Sequence, residues 1–168
     1  MKVLISAASR HGSTDEIAQA IADLLTAAGF ETDVRAPEDV ASTAPYDGVV
    51  IGSAVYLGHW LEPARKLIER ESATLAYKPV WLFSSGPTGT TTQPAENTAE
   101  LARLRETAHA IDHQVFAGRL DRNHLGLAER AMVAMVHAPD GDFRAWEDIR
   151  AWSLSIAQTL ETTLAEKV

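Results

Sequence analysis

The residues best suited to chemistry form three short polar segments, each following an apolar run. The first, Ser9-Arg10-His11-Gly12-Ser13-Thr14, leads straight into a stretch of helical period. Its hydroxyls, its glycine and the unsatisfied N–H groups of a helix start suit a phosphate monoester, whose charge the helix dipole favours. The same residues also read as a plain capping turn, with Ser13 or Thr14 as the cap. The second segment, Ser53-Ala54-Val55-Tyr56-Leu57-Gly58-His59-Trp60, sets aromatic faces beside a glycine. A planar ring and a close backbone approach are then available in one turn. Tyr56 is the better stacking candidate, because Trp60 reads equally well as a core residue of the next helix. The third, Ser84-Ser85-Gly86-Pro87-Thr88-Gly89, either offers N–H and hydroxyl groups to the edge of a heterocycle or is a solvent loop.

Other chemistries are excluded by inspection. The first segment is not Gly-x-Gly-x-x-Gly, and the sequence holds no Gly-x-x-x-x-Gly-Lys-Ser/Thr and no Gly-x-Ser-x-Gly. A phosphoacceptor Asp at the end of the third strand is replaced by Gly52 and Ser53. His109 and His113 have the i, i+4 spacing of a metal pair but lack the glutamate of His-Glu-x-x-His, so no metal is assigned. With no cysteine, thiolate catalysis and cysteine-ligated zinc or iron–sulfur clusters are ruled out, and any redox chemistry must come from a bound cofactor. No catalytic triad is nominated.

These segments need a frame, and the rest of the sequence describes one. The chain has 168 residues, 46% of them hydrophobic and 23% charged, which predicts a single globular domain. Short branched runs alternate with helical stretches, the pattern of an α/β domain with a parallel sheet. Strands are predicted over Lys2–Ala7, Glu31–Arg35, Val49–Ser53, Val80–Ser84 and His113–Ala117. Helical faces run through Ile17, Ile21, Leu24, Leu25 and Ala28; through Trp60, Leu61, Ala64, Leu67 and Ile68; through Leu101, Leu104, Ala108 and Ile111; and through Trp146, Ile149, Trp152 or Ser153, Ile156 and Leu160. Gly29 is placed as a left-handed cap. A further amphipathic stretch from about Leu125 to Val136 is expected to pack on the sheet, with a partner or a membrane surface as the alternative, and a turn follows at Pro139-Asp140-Gly141. In such a sheet a ligand binds beyond the carboxyl ends of the strands, where the three segments fall.

The net charge of −8 and the absence of a Lys/Arg run argue against nucleic acid. No stretch is long and apolar enough for a membrane span, so any membrane contact is expected to be peripheral. Met1 to Ile5 is too short for the apolar region of a signal peptide, which predicts a cytoplasmic protein.

Ser9 to Thr14 resembles the flavin-phosphate loop of flavodoxins, Ser/Thr-x-Thr-Gly-x-Thr, with His11 in place of a threonine. The longer match takes in Ala8 to Thr14, Val50-Ile51-Gly52-Ser53-Ala54-Val55-Tyr56-Leu57-Gly58-His59-Trp60, Lys78-Pro79 and Val115-Phe116-Ala117-Gly118. It resembles the flavodoxin-like menaquinone-dependent protoporphyrinogen dehydrogenases and runs from residue 1 to about residue 160. The resemblance implies a three-layer α/β sandwich with a five-stranded parallel sheet in the order 2-1-3-4-5. It also implies FMN, its phosphate on Ser9, Arg10, His11, Gly12, Ser13 and Thr14 and its ring between the second and third segments. The implied activity is transfer of electrons between a reductant and a quinone or redox partner protein. Gly86 to Pro94 carries no Lys or Arg for the propionates of a porphyrinogen, which points away from that substrate. A deazaflavin-binding relative and a flavin-free binding protein of the same fold remain as alternatives.

Overall fold

Val3, Leu4 and Ile5 are consecutive and all fully buried, so both faces of their strand are covered, as in a parallel sheet with helices on each side. The computed structural model describes residues 1–86, 98–121, 123, 125–135 and 141–166. In chain order the elements are β1 (Lys2–Ala8), α1 (Ser13–Ala27), β2 (Glu31–Arg35), β3 (Gly48–Tyr56), β4 (His59–Trp60), α2 (Glu62–Leu75) and β5 (Val80–Gly86). They continue with α3 (Thr98–Ala108), β6 (Asp112–Ala117), β7 (Arg119–Leu120), α4 (Leu127–Met135), β8 (Gly141–Asp142) and α5 (Trp146–Ala165).

The main sheet runs β2-β1-β3-β5-β6, with parallel pairing throughout. With the two-residue β4 set aside, this is the expected order 2-1-3-4-5. Alternate strand residues feed two cores. Val3, Ile5, Val50, Trp81 and Phe83 meet Ile17, Ile21 and Leu25 of α1 and Ile149, Trp152 and Ile156 of α5. Leu4, Val49, Ile51, Val80 and Leu82 meet Ala64, Leu67 and Ile68 of α2 and Leu104 and Ala108 of α3. Three layers result, and the strands' carboxyl ends all open at one rim.

Gly29 caps α1 as expected, with φ of 95°. Its N–H reaches Thr26 O and that of Phe30 reaches Leu25 O, the paired bonds of a Schellman turn.

Three expectations are corrected, for α2, α3 and α4. Helix α2 begins at Glu62, with Pro63 in its first turn. Trp60 belongs instead to β4, where it pairs with Val55. Helix α3 ends at Ala108, and Ile111 is exposed beyond it. His109 follows that end at φ 51° while His113 lies on β6, so their spacing does not set them on one helical face. Of the apolar stretch expected to pack on the sheet, Leu125 is buried, whereas Leu127 and Met135 on α4 are 88% and 77% exposed and take no part in such packing. Val136, Pro139 and Asp140 lie outside the described residues.

Candidate functional site

The first segment turns tightly between β1 and α1. Gly12 is the residue that caps α1, in the left-handed region at φ 79°, and Ser9 Oγ accepts its N–H at 3.0 Å. Neither Ser13 nor Thr14 is the cap; both lie inside the first helical turn. Only glycine adopts this φ without a steric penalty, so residue type and loop geometry agree. The space a Cβ would enter at Gly12 is open to 4 Å, which leaves this backbone approachable from outside. The N–H groups at the start of α1 have no acceptor within the helix and carry the positive end of its dipole. Thr14 is buried. Ser13 Oγ accepts the N–H of Arg119 at 3.1 Å and keeps its own proton for another acceptor.

The second segment is a hairpin. Tyr56 pairs with His59 and Val55 with Trp60, across a two-residue turn in which Leu57 and Gly58 have φ of 50° and 81°. Positive φ at both positions defines a type I′ turn. It lifts Tyr56 toward the first segment, and the Arg10 guanidinium lies over the Tyr56 ring at 4.4 Å. Trp60, by contrast, is 3% exposed. Its indole N–H donates to Ser84 Oγ at 2.9 Å, so it ties the second segment to the third and presents no open face. His59 Nδ1 bonds Glu100 at 2.8 Å, and the other oxygen of the same carboxylate accepts the Trp60 N–H at 3.0 Å. Ser53 Oγ donates to Ala54 O and accepts the N–H of Leu61. Ala54 and Val55 are half-buried at the end of β3, and Leu57 is exposed at the hairpin tip.

Ser84 and Ser85 are buried at the end of β5 and Gly86 is half-buried. Pro87, Thr88 and Gly89 lie outside the described residues. Because an indole N–H only donates, Ser84 Oγ accepts from Trp60, and the same hydroxyl meets His113 Nε2 2.8 Å away. Burial, reinforced by the charge of Arg105, pushes the pKa of His113 down to about 4.

Two site-bordering groups escape sequence reasoning. His113 carries only its spacing from His109 as a signal, and that signal misleads. Glu129, on α4, places Oε1 3.4 Å from Arg10, 3.3 Å from His11 and 3.4 Å from Tyr56. Its other oxygen accepts the N–H of Gly126 at 3.0 Å, the carboxylate half of a capping box. That bond, followed by the His11 and Arg10 contacts, holds the carboxyl below the usual carboxylate range. Burial, with the Glu129 charge second, pushes the Tyr56 phenol up to about 12. The chain around α4 is fastened over the first segment through Glu16 of α1, which pairs with Arg119 at 3.2 Å and with Arg144.

Ser9, Arg10, Gly12, Ser13 and Tyr56 thus share one rim with a helix start, an exposed cation and an aromatic face. This donor set fits a phosphate joined to a planar ring, provided the Glu129 carboxylate gives way. No group of three or more metal-ligating side chains is present among the described residues. No helix among them is long and apolar enough to cross a membrane.

Known structures share the fold. A flavodoxin from the domain Archaea is 15% identical, with a TM-score of 0.65 over 96% of this chain and 99% of that one. Flavodoxin 1 of Bacillus cereus is 14% identical, with a TM-score of 0.63 over 94% and 98%. Rubredoxin oxygen:oxidoreductase of Desulfovibrio gigas is 16% identical, with a TM-score of 0.65 over 98% of this chain and 37% of that longer one. No curated protein matches the sequence. The sequence profile of the flavodoxin domain matches residues 4–145, and the chain belongs to the flavodoxin domain family.

Proposed function

We infer that the chain is an FMN-binding redox protein that passes electrons between a reductant and a quinone or a partner protein. The observation that carries this reading is the junction of Gly12, Arg10 and Tyr56. A left-handed glycine opens a helix start beside a guanidinium that is already stacked on a tyrosine. Gly12, Ser13 and Thr14 would hold the phosphate by backbone N–H and hydroxyl groups, with Arg10 adding charge and His11 a further hydrogen bond. Tyr56 would cover one ring face, and Ser85 and Gly86 would border its polar edge. When bound, FMN supplies the one- and two-electron chemistry, so the chain needs no acid or base of its own. Its residues bind, orient and shield.

The −8 charge suits a basic partner, whose electron-transfer rate would fall as salt rises; a flat salt profile favours a neutral small acceptor. A porphyrinogen would need cations for its propionates, and Arg10 would already be engaged by the FMN phosphate. Quinone reduction by the reduced protein is therefore expected, with protoporphyrinogen oxidation weak. An anaerobic assay with both substrates tests this preference. Quinone-dependent porphyrin formation well above the free-FMN rate, lost in Tyr56→Ala, would reverse it.

Gly12→Val tests the phosphate assignment. FMN affinity should fall more than tenfold, about 1.4 kcal/mol, in a fluorescence titration of folded protein. A second reading, a binding protein of this fold without flavin, is favoured by the carboxylate of Glu129 at the phosphate segment. Failure to take up FMN, FAD or a deazaflavin would establish it, and uptake of the deazaflavin alone would change the cofactor.

A further inference from the structure

Glu129 is a carboxylate within 3.4 Å of Arg10, His11 and the Tyr56 hydroxyl. Arg10 is the fixed cation of the segment assigned to the phosphate, His11 its neighbouring ring donor, and Tyr56 its aromatic wall. A phosphate monoester carries about −1.5 to −2 charge near neutrality. It cannot share these groups with a carboxylate at no cost, because like charges at such distances repel. The Glu129 contacts to Arg10 and His11, at 3.4 and 3.3 Å, are also long for charged hydrogen bonds. The bond to Gly126 at 3.0 Å is independent of the site and anchors the side chain at the start of α4.

We propose that Glu129 is an internal counter-ion of the Arg10–His11 pair, which an incoming phosphate monoester displaces, making Glu129 a determinant of affinity and of the preference for phosphorylated over unphosphorylated flavin. Beside Arg10 and His11 the carboxylate stands where the ligand's negative charge is needed. It satisfies Arg10 and His11 and lowers the affinity for any anion that takes its place. The inference rests on the FMN reading of the same segment. It adds that the site is self-blocked, and that the block lies on a helix 118 to 119 residues away in sequence from the residues it holds.

The test compares the purified full chain with Glu129→Gln, in which the amide oxygen still accepts the Gly126 N–H but the charge is gone. Glu129→Ala serves as a second variant that also loses that bond. FMN, riboflavin and inorganic phosphate are titrated against each, the flavins by fluorescence and phosphate by its competition with FMN. Glu129→Gln should bind FMN at least fivefold more tightly and be inhibited by less phosphate. Riboflavin, which lacks the phosphate, should bind both proteins alike. Binding of FMN by the variant alone would also support the proposal, as the extreme case of the block. If the native chain binds FMN and the variant binds it equally or less tightly, the counter-ion role is overturned while the FMN reading stands. An equal gain for riboflavin and FMN overturns the role as well, because the effect is then steric. If neither protein takes up FMN, both readings fall.

Discussion

Ser84 Oγ and His113 Nε2 lie 2.8 Å apart across neighbouring strands β5 and β6. Trp60 closes the chain from the other side. One hydroxyl therefore couples the hairpin that carries Tyr56 to the strand end that carries Ser85 and Gly86.

The folded pKa of His113, about 4, lies below its ordinary value of 6.5. Between those values the unfolded chain binds the extra proton, so stability rises with pH across that window. The stability due to the neutral ring is fully present above pH 6.5 and is lost as pH falls toward 4, at most about 3 kcal/mol. His113→Gln, which keeps an acceptor but does not titrate, should flatten that part of the profile. Denaturant unfolding of both proteins at pH 7 and pH 4.5 checks it; an equal loss in the two excludes a role for His113.

Gly52 lies opposite Phe83 in the register of β3 and β5. A Cβ on it would meet the Phe83 ring at 2.1 Å, and Phe83 is fully buried against Phe116 and Trp152. The ring cannot swing away without disturbing that cluster. Gly52→Ala should destabilise the fold by about 3 kcal/mol, toward the upper end for overpacking. A change below about 0.5 kcal/mol in chemical denaturation would show that the core accommodates the methyl group.

Leu57 sits at φ 50° in the hairpin turn and is 78% exposed. A left-handed conformation costs an ordinary residue about 1 kcal/mol and asparagine less. Asn-Gly is also the preferred pair for this turn type. Leu57→Asn should therefore raise stability by about 0.5 to 1 kcal/mol, read as a higher midpoint in thermal or urea unfolding. A lower midpoint would mean that the leucine makes a packing contribution its exposure hides.

The fold is legible because burial on both faces forces near-continuous apolar strands, as in Val3-Leu4-Ile5 and Val80-Trp81-Leu82-Phe83. Gly29 is legible too, since a helix end and a left-handed glycine are coupled locally. Trp60 is misread because its spacing from Ala64 and Leu67 imitates one helical face across a chain that is still turning. The hairpin itself is hidden by a leucine at a position that usually carries asparagine. Glu129 has no local mark that points to Arg10: their contact depends on how α4 is fastened over α1 by Arg119 and Arg144. Likewise His113 becomes a site-bordering group only through the β5–β6 register.

The most direct measurement is an FMN titration of the purified chain followed by flavin fluorescence, repeated in rising inorganic phosphate. Saturable quenching at one FMN per chain, weakened by phosphate in competition for the Ser9–Thr14 segment, is the predicted result. Flavin fluorescence that stays unchanged with either the folded native chain or Glu129→Gln in excess, or quenching indifferent to phosphate, would contradict the assignment of this rim as an FMN site.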